Sequence, residues 1–229
     1  MGAEMSKSKP RVVYLHRYPP EIEAFQWPAL RELAKALAPA YELVYVSMGP
    51  AGGRRNEELR RDMRVIELPF SVDQTDGRDK WFKTLRWYAH TGRTLACLRE
   101  LAPAVVICKE ALPFLPGRVA ALGFPTIIET SDWWWSILLG HRGWGRKLAE
   151  RLERREVRSW NRPTVKATVS TRAEGRLLEA KGLEASRVVV INAPQNPGVF
   201  RPLEPRPSKE ELGLDPAQKH FAIFGIIRG

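Results

Sequence analysis

The 229-residue sequence predicts an α/β fold built on a doubly wound parallel sheet. Three observations point to it. Short apolar runs alternate with helical patterns along most of the chain. The runs, such as Val12-Val13-Tyr14-Leu15 and Val188-Val189-Val190-Ile191, lack polar alternation, as strands covered on both faces do. A hydrophobic content of 44% supplies enough apolar surface for a core of that size. Right-handed crossovers between parallel strands then wind such a sheet in both directions.

The elements follow in order. Residues 11–15 form a buried strand, and the loop 16–26 carries Pro19-Pro20. Leu30, Leu33, Ala34 and Leu37 recur at helical spacing, with Pro28 in the first turn. Residues 41–46 return to strand, 49–56 form a loop rich in Gly and Arg, and 65–68 form a further strand. A long helical pattern covers 79–101, followed by a strand at 105–108, a short helix at 116–122 and a strand at 126–129. Trp133-Trp134-Trp135 precedes a charged helix at 146–160 and a strand at 165–169. Thr171 and Glu174 have the spacing of a capping box at the start of the helix that carries Leu177 and Leu178. Residues 188–191 close the series.

Residues 1–10 read as a flexible N-terminus and 11–193 as one domain. Residues 194–219 have a linker composition, with Pro194, Pro197, Pro202, Pro205, Pro207 and Pro216. Residues 220–229 read as the first strand and turn of a second domain, because a strand without neighbours cannot bury itself. The expectation is therefore the N-terminal half of a two-domain protein, truncated before its second lobe. A site shared between the lobes would lie half outside this sequence.

The net charge is +11, from 37 Lys and Arg against 26 Asp and Glu. That balance favours anionic partners without choosing among nucleic acid, lipid headgroups and phosphorylated small molecules. Cys97 and Cys108 have no metal-ligand spacing and read as structural thiols in a reducing compartment. The start has no apolar signal region, and no apolar run reaches the roughly 20 residues of a membrane span. The expectation is a cytoplasmic protein. No G-x-G-x-x-G, P-loop, H-E-x-x-H or G-x-S-x-G is present. His16, His90, His141 and His220 are scattered, so no metal site is proposed.

In a doubly wound sheet, ligands bind where the carboxyl ends of the strands meet their loops. That rule selects His16 and Arg17, Lys109 and Glu110, Ser131 and Asp132, Ser170 to Arg172, and Asn192. Asp132 can orient or deprotonate a hydroxyl, or cap the helix that follows it. Glu110 is the other carboxylate within reach of the same crevice.

Several segments together resemble the N-terminal domain of GT-B glycosyltransferases of the group 1, family 4 type. These are Arg17-Tyr18-Pro19-Pro20, Leu98-Arg99-Glu100-Leu101-Ala102-Pro103-Ala104-Val105-Val106, and Ala167-Thr168-Val169-Ser170. Val189-Val190-Ile191-Asn192-Ala193-Pro194, Phe200-Arg201-Pro202 and Phe224-Gly225-Ile226-Ile227-Arg228 follow in the family's order. The resemblance implies a Rossmann-like lobe. It implies sugar transfer from a nucleotide-sugar donor to an acceptor, with retention and without a metal or a permanently bound cofactor. The acceptor, a glycan or a lipid-linked molecule, would meet His16, Arg17, Tyr18, Lys109, Ser131 and Trp133. Asp132 and Glu110 would be the catalytic carboxylates. Gly225 and Arg228 would face the donor diphosphate, where a fixed cation stabilises leaving-group charge. This stretch alone would be inactive, since the donor is held mainly by the other lobe.

Two departures from the family pattern stand out. Glu23-Ala24-Phe25 occupies the place of a Gly-Gly turn, and side chains there hinder close backbone approach to a nucleotide. Ser131 stands where many members carry His, and a hydroxyl does not carry protons as an imidazole does. They feed an alternative reading, an inactive interaction domain that kept the fold.

Three adjacent tryptophans cannot all face one core, and Arg142, Trp144, Arg146, Lys147, Arg151, Arg154, Arg155 and Arg158 follow them. One reading is a peripheral patch for an anionic membrane at the inner face. The other is a packed loop beside a solvated helix, with Arg151 and Arg155 paired to Glu150, Glu153 and Glu156. A basic nucleic-acid-binding domain is a further alternative. It is disfavoured, because no recognised motif for it appears.

Overall fold

The computed structural model describes residues 9–17, 27–47, 63–68, 80–109, 112–130, 134–139, 143–191, 205–211, 213, 215 and 217–218. The chain divides into two compact units, Met1–Asn192 and Ala193–Gly229.

In the first unit the elements run β1 Arg11–His16, α1 Trp27–Leu37, β2 Glu42–Ser47, β3 Arg64–Glu67, α2 Lys80–Leu101 and β4 Val105–Lys109. They continue α3 Leu115–Ala121, β5 Thr126–Glu129, α4 Trp134–Leu139, α5 Gly143–Ser159, β6 Val165–Val169, α6 Arg172–Ala180 and β7 Val188–Val190. The strands form one seven-stranded sheet in the order β3-β2-β1-β4-β5-β6-β7. Every pairing is parallel, as the unalternated apolar runs predict.

The pleat sorts each strand's residues onto two faces. Val13, Leu15, Val44, Val46, Val106 and Cys108 point to one face, where Leu98 and Leu101 of α2 and Leu115 and Val119 of α3 cover them. Val12, Tyr14, Leu43 and Tyr45 point to the other, beneath Leu30 and Ala34 of α1. A third cluster joins Ile128, Val165, Ala167 and Val169 to Val157, Trp160 and Leu178. Each fully buried Val or Leu adds roughly 1.5–3 kcal/mol of transfer free energy. Three adjacent strands contribute such residues, which fixes their register against slippage.

Local signals act as their chemistry requires. Thr171 Oγ1 accepts the Glu174 N–H at 3.2 Å, and the Glu174 carboxylate accepts the Thr171 N–H at 3.0 Å, completing the capping box. Gly182 ends α6 at φ 104°, a conformation that L side chains rarely adopt. Gly117 lets α3 approach α5, since a Cβ there would run into Ser159 Oγ.

Three differences from the sequence reading appear. Trp134–Leu139 is a short helix, which the sequence reading named only as what Asp132 could cap, without bounds. It forms because α5 supplies a carboxylate for the Ser136 N–H in its first turn. At the far edge, Val189, Val190 and Ile191 are exposed, so β7 is an apolar strand not covered on both faces. In the second unit Pro205–Glu211 is helical inside the stretch read as linker. Pro205 stands at its first position, where a missing N–H costs nothing. Among the described residues, no helix is long and apolar enough to cross a membrane.

Candidate active site

The sheet reverses direction between β1 and β4: the chain leaves β1 toward β2 and β3, then returns to place β4 on the other side. Such a switch point opens a crevice at the strands' carboxyl ends. The register puts one polar residue from each of the five strands β2, β1, β4, β5 and β6 in a row across it. Ser47 lies opposite His16, His16 opposite Lys109, Lys109 opposite Glu129, and Glu129 opposite Thr168. Neighbouring strands are about 4.8 Å apart, so the row spans roughly 19 Å.

Residues opposite one another in a parallel pair share a face, so this row continues the α1 face of the sheet. His16 is 1% exposed and lies against Tyr14 and Tyr45, with ring centroids 6.4 and 6.2 Å away. Lys109 is mostly buried, and its ammonium forms an ion pair with the Glu129 carboxylate. Glu129 is the most open of the three. Arg17, just beyond β1, is buried. The row thus runs from an aromatic-walled imidazole, through a paired ammonium, to an accessible carboxylate. It offers hydrogen-bond donors and acceptors to a polyhydroxyl ligand at the sheet's rim.

Of the residues singled out from sequence, His16, Arg17, Lys109 and Ser170 to Arg172 are described; the first three gather at the switch point, whereas Ser170 to Arg172 follow β6, where Thr171 caps α6, and Asn192 lies outside the described residues. Tyr18, Glu110, Ser131, Asp132, Trp133, Gly225 and Arg228 lie outside the described residues. Sequence reading passed over Glu129, although it ends β5 as Lys109 ends β4 and the same carboxyl-end rule selects it.

A second set of polar groups is contributed by α5. The Glu156 carboxylate accepts the Phe114 N–H at 2.8 Å and the Trp135 indole N–H at 3.0 Å. Phe114 follows Glu110 by four residues and holds φ 60°, which is costly for a bulky side chain. Its ring packs on Trp135 at a centroid distance of 5.6 Å. Tyr88 donates its hydroxyl to Pro113 O at 2.9 Å. Burial pushes that phenol above its usual range, and the nearby Glu156 carboxylate adds to the rise.

Glu153, one turn earlier, is buried too. It accepts the Ser136 N–H at 3.1 Å and the Ser136 hydroxyl at 2.6 Å, and it pairs with the Lys181 ammonium at 2.5 Å. Burial lifts the Glu156 carboxyl from 4.5 to about 7, against the pull of its two N–H donors, and the Glu153 charge raises it further. The two carboxylates therefore tie Phe114 and the first turn of α4 to α5.

This corrects one sequence expectation. Glu153 and Glu156 do not pair with Arg151 and Arg155; they turn inward, where buried N–H groups need acceptors. The missed signal was Ala149-x3-Glu153-x3-Val157, which puts Glu153 in line with two core residues of the helix. Trp135 is also buried, so it forms no part of a surface patch. Among the described residues, no three His, Cys, Asp or Glu side chains are grouped to hold a metal.

Comparisons place this geometry among known proteins. Residues 26–194 match the family described as glycosyl transferase 4-like domain. No curated protein sequence matches the chain. Among solved structures it is similar to Alr3699/HepE of Anabaena, solved with UDP and glucose, at 12% identity and a TM-score of 0.54. That match covers 89% of this chain and 50% of the Anabaena protein. It is similar as well to UGT89C1 of Arabidopsis thaliana, solved with UDP, at 12% identity and a TM-score of 0.52, covering 90% and 54%. UGT73P12 of Glycyrrhiza uralensis, solved with glycyrrhetinic acid 3-O-monoglucuronide, matches at 10% identity and a TM-score of 0.50, covering 81% and 49%. The chain thus spans about half the length of the structures it matches. The fold is that of the N-terminal domain of GT-B glycosyltransferases, and the chain belongs to the glycosyl transferase 4-like domain family.

Proposed function

We propose that this chain is the acceptor-side lobe of a glycosyltransferase that moves a sugar from a nucleoside-diphosphate sugar to an acceptor hydroxyl. The observation that carries the reading is the polar row His16–Lys109–Glu129 at the switch point of a glycosyl transferase 4-like domain. A crevice floored by a buried imidazole and a paired ammonium, with an open carboxylate beside them, suits a polyhydroxyl acceptor, whose groups both donate and accept. In this reading Asp132 and Glu110 orient or deprotonate the acceptor hydroxyl, with Arg17, Tyr18, Ser131 and Trp133 around it. Arg228, beside Gly225, meets the donor diphosphate and offsets the charge that grows on it as the glycosidic bond breaks. Transfer proceeds with retention and without a metal, and residues 1–229 alone do not turn over.

The Anabaena and Arabidopsis proteins were solved with UDP, which supports UDP-sugars as the first donors to try. The test is nucleoside diphosphate release by the longer protein, from a panel of nucleotide sugars and with a mixed hydroxyl acceptor pool. Asp132→Asn should lower turnover at least about a hundredfold, the usual range for a lost acid–base group. Full activity in Asp132→Asn and Glu110→Gln together would refute the assigned roles. Ser131 and Glu23-Ala24-Phe25 support a second reading, a binding domain that kept the fold without the chemistry. Acceptor binding with no turnover on any donor would favour it.

A further inference from the structure

Helix α5 turns every acidic side chain away from its outer face. Its sequence carries six cations and three acids, which alone reads as a solvated mixed-charge helix. The structure separates them. Glu153 and Glu156 are committed inward, and Glu150 pairs with Arg146 at 3.5 Å on the flank. Lys147, Arg151, Arg154, Arg155 and Arg158 are left exposed, with Trp144 at the head of the stripe and 75% exposed. At 100° per residue these six fall within an arc of about 100°, opposite Ala149, Glu153 and Val157. The stripe runs about 21 Å along the axis. Among the described residues, none of the five cations forms an ion pair.

We propose that this face of α5 docks on an anionic phospholipid membrane. The charge is single-signed, continuous and flat along one helix, which complements a plane of headgroup phosphates. Trp144 adds an amphipathic ring at one end, suited to the headgroup level. A nucleic acid is less well served, since the stripe provides a single aromatic and no platform for successive bases. Docking here needs no spanning segment. It also brings the bilayer beside the helix that holds Phe114 and the first turn of α4. If the sugar-transfer reading holds, the acceptor class that follows is a hydroxyl on a membrane-borne molecule. Docking itself does not rest on that reading, and its readout requires no transfer.

The test is vesicle flotation of this chain at low salt, with phosphatidylcholine alone and with phosphatidylcholine plus phosphatidylglycerol. Each cation near an anionic surface is worth about fivefold in partition, so Arg151→Gln, Arg154→Gln and Arg155→Gln together should weaken binding roughly a hundredfold. Trp144→Ala should weaken it further. Arg93→Gln, Arg172→Gln and Arg176→Gln remove the same charge from other exposed positions and should change binding little; circular dichroism checks that every variant is folded. Failure of the parent chain to float with anionic vesicles would overturn the proposal, and so would equal losses in the two triple variants. Tighter binding to a single-stranded oligonucleotide, lost in the α5 variant, would assign the face to nucleic acid instead. Transfer by the longer protein with no flotation of this chain would sink docking and leave the sugar-transfer reading standing; flotation of this chain with no transfer by the longer protein on any donor would do the reverse.

Discussion

Replacing Glu156 by Gln should change how the stability of this chain depends on pH. Burial lifts the Glu156 carboxyl from 4.5 to about 7, while the Phe114 and Trp135 N–H groups hold it lower than burial alone would. The folded chain therefore keeps a proton that the unfolded chain has already lost across that window. The sign follows: the stabilising effect is complete below about pH 4.5, declines as pH rises, and is gone above about pH 7. Each pH unit is worth about 1.4 kcal/mol, so the whole decline is about 3 kcal/mol. Gln cannot ionise; its Oε1 accepts one of the two N–H groups while its NH2 group meets the other donor, so a pH-independent loss of one hydrogen bond adds to the difference. Urea unfolding followed by circular dichroism should show Glu156→Gln gaining about 3 kcal/mol on the parent between about pH 4.5 and pH 7.5. A constant gap across that range would refute the reasoning, because Glu156 would then be ionised throughout in the folded chain.

Other perturbations test neighbouring parts of the account. Lys181→Met leaves Glu153 buried without its cation and should cost about 3–5 kcal/mol in the same assay, with Glu153→Gln added on top recovering part of the loss. Gly117→Ala forces a methyl against Ser159 where α3 meets α5 and should cost about 1–3 kcal/mol; Ser159→Ala in the same chain should relieve part of it, a coupling that a double-mutant cycle reads directly. Cys108 is buried, which pushes its thiol up to about 12. It should resist alkylation in the folded chain and react once urea unfolds it, whereas the half-buried Cys97 should react slowly in the folded chain and as fast as Cys108 in the unfolded one.

The sheet was readable because its central strands are buried on both faces. Runs such as Val105-Val106-Ile107-Cys108 carry no alternation to confuse with a surface strand, and Thr171 and Glu174 announce a helix start by spacing alone. The carboxyl-end rule then found His16, Arg17 and Lys109 without any coordinates. It could not show that they lie side by side. That takes the pairing of β1 with β4, whose contacts are made across more than ninety residues of chain. The brace was hidden for a different reason. Glu153 and Glu156 sit among arginines and read as surface ion-pair partners. Only the packing of α4 and the left-handed turn at Phe114 create buried N–H groups that need them. The outer face of α5 became visible as a basic stripe only once those acids were seen to point inward. The bounds of the helix Trp134–Leu139 were hidden for the same reason, since its first-turn acceptor comes from another element.

The account turns on the switch-point row being the acceptor's floor. Steady-state transfer by the longer protein, with acceptor and donor varied separately, measures this most directly in Lys109→Met and His16→Ala. The account predicts that each raises the acceptor KM at least about tenfold, the equivalent of about 1.4 kcal/mol, and leaves the donor KM unchanged. An unchanged acceptor KM in both folded variants would contradict it.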